Sequence, residues 1–117
     1  MQISTPKGKI NISKEVIAHI ASTAAMECYG LAGVPSNKLS EGLTELIKKE
    51  TTRKGVKVEV VDGNRLIINI GIVVIYGTKI SEVAQNVMEK VHYTIEEITG
   101  AKVEKVNIKV LGVKVVD

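Results

Sequence analysis

The stretch Arg65-Leu66-Ile67-Ile68-Asn69-Ile70-Gly71-Ile72-Val73-Val74-Ile75-Tyr76, closed by Gly77, decides how the rest of this chain must fold. It is almost continuously apolar and dominated by β-branched side chains, which suit a pleated backbone better than a helix. A run of this kind is expected of a central strand covered on both faces. Asn69 and Gly71 interrupt it, and it falls short of the roughly 20 apolar residues that a membrane helix needs.

Working outward, Val56-Lys57-Val58-Glu59-Val60 alternates apolar and polar residues as a half-buried strand does, and Asp62-Gly63 marks a hairpin between the two strands. Downstream, Val83, Ala84, Val87, Met88, Val91, Ile95 and Ile98 recur at helical spacing, with Ser81 as candidate cap and Gly100 as terminator. A last strand sets Val106, Ile108 and Val110 against Lys105, Asn107 and Lys109. Its phase changes after Leu111-Gly112, as a bulge at Gly112 or a tail that changes surface would require.

The N-terminal half reads less sharply. Gly8–Ile12 is a short strand, Ser13 an N-cap and Glu15 a first-turn acid. Val16, Ile17, Ile20, Ala21, Ala24, Ala25 and Cys28 then form one stripe, ended by Gly30 as a C′ glycine. The many alanines predict close approach of another backbone. Gly33–Asn37 is a loop, a weaker helix spans about Leu39 to Lys49, and Lys48–Gly55 is a polar connection. The order β-α-(α)-β-β-α-β predicts an α+β two-layer sandwich, a mainly antiparallel sheet with helices packed on one face.

Composition bounds the function. The 117 residues suit a single domain, 1–117, and 44% are hydrophobic. Phe and Trp are absent, so the core is aliphatic and three scattered tyrosines make a poor platform for stacking nucleic-acid bases. The formal charge of +3 permits an anionic partner without demanding one. One cysteine excludes an internal disulfide. No signal-peptide pattern opens the chain, and the cytoplasm is the expected compartment.

Cys28 sits on the apolar stripe and reads as a small hydrophobe rather than a nucleophile. His92 lies one helical turn from Glu89 and from Glu96. Three such ligands on one exposed helix would make a weak metal site, so helix-stabilising charge pairs are the reading here. His19 reads as a boundary residue. No nucleophile–base pair, paired carboxylates, P-loop or dinucleotide fingerprint is present. No cofactor, metal or catalytic residue is therefore expected. Lys48, Lys49, Arg53, Lys54 and Lys57 could form a patch interrupted by acids, and Lys105 and Lys109 read as edge-strand protection.

Gly30-Leu31-Ala32-Gly33 is a GxxG between two predicted helices, and in this order of elements it resembles a type I KH domain, whose GxxG clamps a nucleic-acid backbone. Leu31 and Ala32 are apolar where such a clamp usually carries a base. Under that resemblance Gly30, Gly33 and nearby Lys38 would be the nucleic-acid contacts.

Three blocks carry a broader resemblance. They are Gly8–Ser13 with Glu15–Ala18, Ala24-Ala25 and Gly30–Val34; Val73–Gly77 with Ile80–Ala84 and Ile98–Gly100; and Val103–Val110. Together they resemble the bacterial alkaline shock protein family, also called the general or envelope stress response family, over about positions 8 to 113. The resemblance implies a cytoplasmic protein of cell-envelope or lipid homeostasis without catalytic residues, held near the membrane in some members by a separate anchoring protein. Ile75 and Met88 stand where that family commonly has an acid and a Gln, so this chain is more apolar there. The expectation is a self-associating, homo-oligomeric interaction module with a protein partner, without direct membrane insertion. Ile75, Tyr76, Val113 and Val115 are the candidate partner contacts.

Overall fold

The computed structural model describes residues 1–34, 52–53, 55–62 and 65–115. The expected Leu39–Lys49 helix, Lys38 and Lys48, Lys49 and Lys54 of the basic patch lie outside these residues. The described elements are β1 (Gln2–Thr5), β2 (Gly8–Asn11), α1 (Lys14–Met26), β3 (Leu31–Gly33), β4 (Thr52–Arg53), β5 (Val56–Val61), β6 (Arg65–Ile75), α2 (Ile80–Thr99) and β7 (Lys102–Lys114).

The apolar run is β6, and it is the axis of the main sheet. β7 pairs parallel with β6 from Arg65 to Ile75 and takes one whole edge. The other edge is shared by two antiparallel strands: β5 along Arg65–Ile70, and β3 at Val73 and Val74. β4 then pairs antiparallel with β5. The helix between β6 and β7 makes the parallel pairing possible, since parallel neighbours need a long crossover.

Alternation along β6 sorts the molecule into layers. Leu66, Ile68, Ile70, Ile72 and Val74 are at most 2% exposed, all on the side where the helices pack. They meet Val56 and Val58 of β5, the buried row Ile17, Ala18, Ala21, Ala24 and Ala25 of α1, and Val83, Val87, Val91 and Ile95 of α2. The architecture is an α+β two-layer sandwich. The alanines let α1 lie close, as expected, but its buried stripe is rotated: Ala18 and Ser22 are buried while Val16 is 50% exposed.

The odd-numbered face of β6 corrects the expectation of a strand covered on both faces. Ile67, Asn69, Val73 and Ile75 are only half-buried, and among the described residues no second layer lies over them. Gly71 alone is buried there, because Leu111 of β7 folds across the space its missing side chain leaves. Leu111 does so from a bulge, where the register slips between the Ile72–Val110 and Val73–Gly112 pairs. This is the phase change expected near Gly112. A second slip, after the Leu66–Val103 pair, has no counterpart in the sequence pattern.

Local signals held to different degrees. The Ser13 hydroxyl accepts from the Val16 amide at 3.2 Å and caps α1. Gly100, left-handed at φ 78°, ends α2. Ser81 does not cap α2, because Lys79 occupies that position with extended backbone and its carbonyl accepts from the Glu82 and Val83 amides. α1 ends at Met26, earlier than Gly30 suggested, since Glu27 and Cys28 tighten into i→i−3 bonds to Ala24 and Ala25. The expected first strand is the second half of a hairpin, β1 with β2. Its signals are Pro6 and Gly8, at the turn that pairs Thr5 with Gly8.

Candidate interaction surfaces

The first surface lies where β6, β7 and α2 meet. β6 and β7 run in the same direction, so their C-terminal ends and the first turn of α2 fall together. The Tyr76 amide donates to the Lys114 carbonyl at 2.8 Å and ties the two strand ends. Around this tie, Tyr76 is 71% exposed, Val115 69%, Val113 47% and Ile80 43%. Val110 adds to the group one register step back, opposite Ile72. Scattered apolar side chains are normal on a surface, whereas several at one end of a sheet form a patch.

The four candidate contacts therefore gather at one end of the sheet, yet on two sides of it. Val113 stands opposite the buried Val74, on the helix side, and Val115 follows it two residues on. Ile75 stands opposite Lys114 on the other side and is half-buried, with its amide donating to the Gly30 carbonyl. Ile80 and Val110 belong to the patch and were missed as a contact surface. Val110 lies in the apolar row of the last strand, whose alternation reads as core, and Ile80 lies in the first turn of α2.

Among the described strands, β7 has a neighbour on one side only. Its outer margin borders a groove of about 290 Å³ against α2, lined by Gln85, Met88, Glu89, His92 and Glu104–Val106. His92 is tied down within it: its Nε2 donates to the Val103 carbonyl at 3.1 Å and lies 3.5 Å from Glu96. Glu96 accepts from the Val103 amide at 2.8 Å. Glu89 instead accepts from Gln85. His92 and Glu96 thus clamp the start of β7. Among the described residues no three His, Cys, Asp or Glu side chains converge as metal ligands.

The GxxG segment is not an exposed inter-helix loop, which corrects that expectation. Leu31–Gly33 is strand β3, and Leu31 is 8% exposed in the core. Gly30 is buried at φ +89°, and a Cβ there would stand 2.7 Å from Val83 Cγ2. Its carbonyl accepts from the Ile75 amide, and its α-carbon packs on Val83 and Thr78. Cys28 is half-buried beside the core. Burial pushes its thiol pKa up, Lys90 works against that and Glu27 adds to it. His19 is exposed and borders a groove between the helices together with Ile20, Glu27, Thr94 and Ile98.

What the described residues define is a small α+β domain whose distinctive features are surfaces: an apolar strand end, a half-paired outer strand and an open sheet face. The chain belongs to the alkaline shock protein 23 family, whose model matches residues 2–115 and whose description reads "cell envelope-related function". It is similar to the uncharacterized protein YloU of Bacillus subtilis (strain 168), 47% identical over 116 residues, covering 98% of this chain and 96% of that one. It is also similar to YqhY of the same organism, 34% identical over 110 residues, covering 94% and 80%. Its fold is similar to that of the MamM CTD, in the copper form with TM-score 0.53 and 14% identity over 86% of this chain and 98% of that one. The cadmium form gives TM-score 0.52 at the same identity and coverage. No described helix is long and apolar enough to cross a membrane.

Proposed function

We propose that this protein is a non-enzymatic interaction module of cell-envelope or lipid homeostasis, which self-associates and docks on a protein partner through the end of its β6–β7 pair. The observation that carries the reading is the exposed apolar group Tyr76, Ile80, Val110, Val113 and Val115 around the Tyr76–Lys114 tie. Removing such side chains from water is the main driving force of association, and a patch at the end of an outer strand can be covered without disturbing the core. The family's envelope-related description supplies the setting.

The test is sedimentation equilibrium of the wild-type chain beside Val113→Glu and Tyr76→Ser. Wild type is expected to associate with rising concentration, and a buried unpaired carboxylate in Val113→Glu to weaken association at least about tenfold. A wild type that stays monomeric throughout, or variants that associate like wild type, would sink the reading.

A further inference from the structure

We propose that the open face of the β5–β6–β7 sheet docks directly on an anionic phospholipid bilayer. This goes beyond the self-association reading, because the lysines that carry it stand on the opposite side of the sheet from Val113.

Register assigns the face. The helix layer covers the even-numbered residues of β6, so whatever stands opposite an odd-numbered residue points away from the helices. Lys57 and Asn107 stand opposite Asn69, Lys105 opposite Ile67, Lys109 opposite Gly71 and Lys114 opposite Ile75. With Lys102, opposite Arg65, five exposed lysines thus share one side of one sheet. None takes part in an ion pair among the described residues, where Lys79 and Lys90 are the lysines that do. Of the nearby acids, Asp62 and Glu104 pair with Arg65, and Glu59, opposite Ile67 on the same face, accepts from Asn69.

The face also has a shaped centre. Two glycines meet across the strands where the Gly71 amide donates to the Gly55 carbonyl. Beside them lies a depression of about 430 Å³ bordered by Lys57, Asn69, Asn107, Lys109 and Leu111. Asn107 donates to Asn69, which donates to the Glu59 carboxylate, so two fixed amides lie in the depression that Lys57 and Lys109 border. A headgroup phosphate fits this chemistry, with Leu111, 51% exposed, beside it as an aliphatic contact.

Lysine on an outer strand blunts strand-to-strand aggregation, but that role does not extend to Lys57, since β5 is paired on both edges. A second copy on this face would bring like charges together. The register rows hold Lys, Arg, Asn, Gly, aliphatic residues and one acid, Glu59, with no aromatic, so base stacking has no platform here. Lysines interleaved with aliphatic side chains suit a surface that is anionic outside and apolar just beneath.

The experiment is cosedimentation of the full chain with vesicles of phosphatidylcholine alone, or of equal parts phosphatidylcholine and phosphatidylglycerol. The double variant Lys105→Glu/Lys109→Glu is compared with Lys7→Glu/Lys9→Glu, which changes net charge equally on the exposed β1–β2 hairpin. Wild type is expected to bind only the anionic vesicles, and to release as salt rises. With each lysine near such a surface worth about a fivefold change in partitioning, the sheet-face variant loses about 25-fold or more and the hairpin variant much less. Circular dichroism verifies that both remain folded. No binding to the anionic vesicles, or equal loss in the two variants, overturns the proposal. Binding to duplex DNA or to an acidic polypeptide without binding to vesicles overturns it equally. Vesicle binding that fails while self-association persists leaves the self-association reading standing, and the converse holds.

Discussion

At the scale of single residues, two glycines show how context decides cost. Gly30 has a left-handed backbone and Val83 at its α-carbon, within the core. Gly30→Ala therefore meets both conformational strain and a side chain that cannot retreat, and should destabilise by about 2–4 kcal/mol. At Gly71 the group in the way is the tip of Leu111, half-exposed and free to swing outward. Gly71→Ala should cost no more than about 1 kcal/mol, and thermal melts of the pair check the contrast. Cys28 makes a pH prediction. Its folded pKa is raised, so less thiolate is present at a given pH and alkylation should be slower in the native protein than in denaturant, the two rate profiles meeting only in strong alkali. The sign for stability is the same. The thiol's contribution is intact below the unfolded pKa and is lost as pH rises past that value towards the folded one. Residue-level signals were legible where they act within a turn, as at Ser13 and Gly100. They misled where tertiary packing chose between neighbours, as when Lys79 rather than Ser81 opened α2.

At the scale of elements, α1 depends on its cap. Ser13→Ala removes the acceptor for the Val16 amide and should cost about 1 kcal/mol, read from the shift in urea midpoint at unchanged slope. The elements themselves were largely readable from periodicity: β5, β6, α2 and β7 lie where alternation and helical spacing put them. Coverage was less so. Periodicity marks apolar residues without saying which of them a neighbour reaches, so Val16 and Ile98 read as core and are 50% and 63% exposed. The odd face of β6 was misread for the same reason. Its aliphatic residues are half-buried, with no further layer over them among the described residues.

At the scale of the whole molecule, the two surfaces lie back to back across one sheet and should be separable. Lys105→Glu/Lys109→Glu is expected to keep wild-type self-association, and Val113→Glu to keep binding to phosphatidylglycerol vesicles. Gel filtration and vesicle cosedimentation on both variants check this, and a variant that loses both properties would mean the two faces do not act separately. Of the candidate contacts, Val113, Val115 and Tyr76 are exposed at the tied ends of β6 and β7, while Ile75 lies on the other face opposite Lys114. No single-strand pattern could reveal that division.

The sequence by itself determined the apolar central strand, the hairpin that feeds it, the long helix after it and the family resemblance, because each rests on short-range periodicity or on residues in fixed order. Only the tertiary structure decided that β6 and β7 run parallel, that Gly30 is buried in packing, and that Lys57 joins Lys105, Lys109 and Lys114 on one face. Those facts depend on which strands become neighbours. Register between strands far apart in the chain is set by core burial on the helix side, and the open side inherits whatever that burial leaves outward.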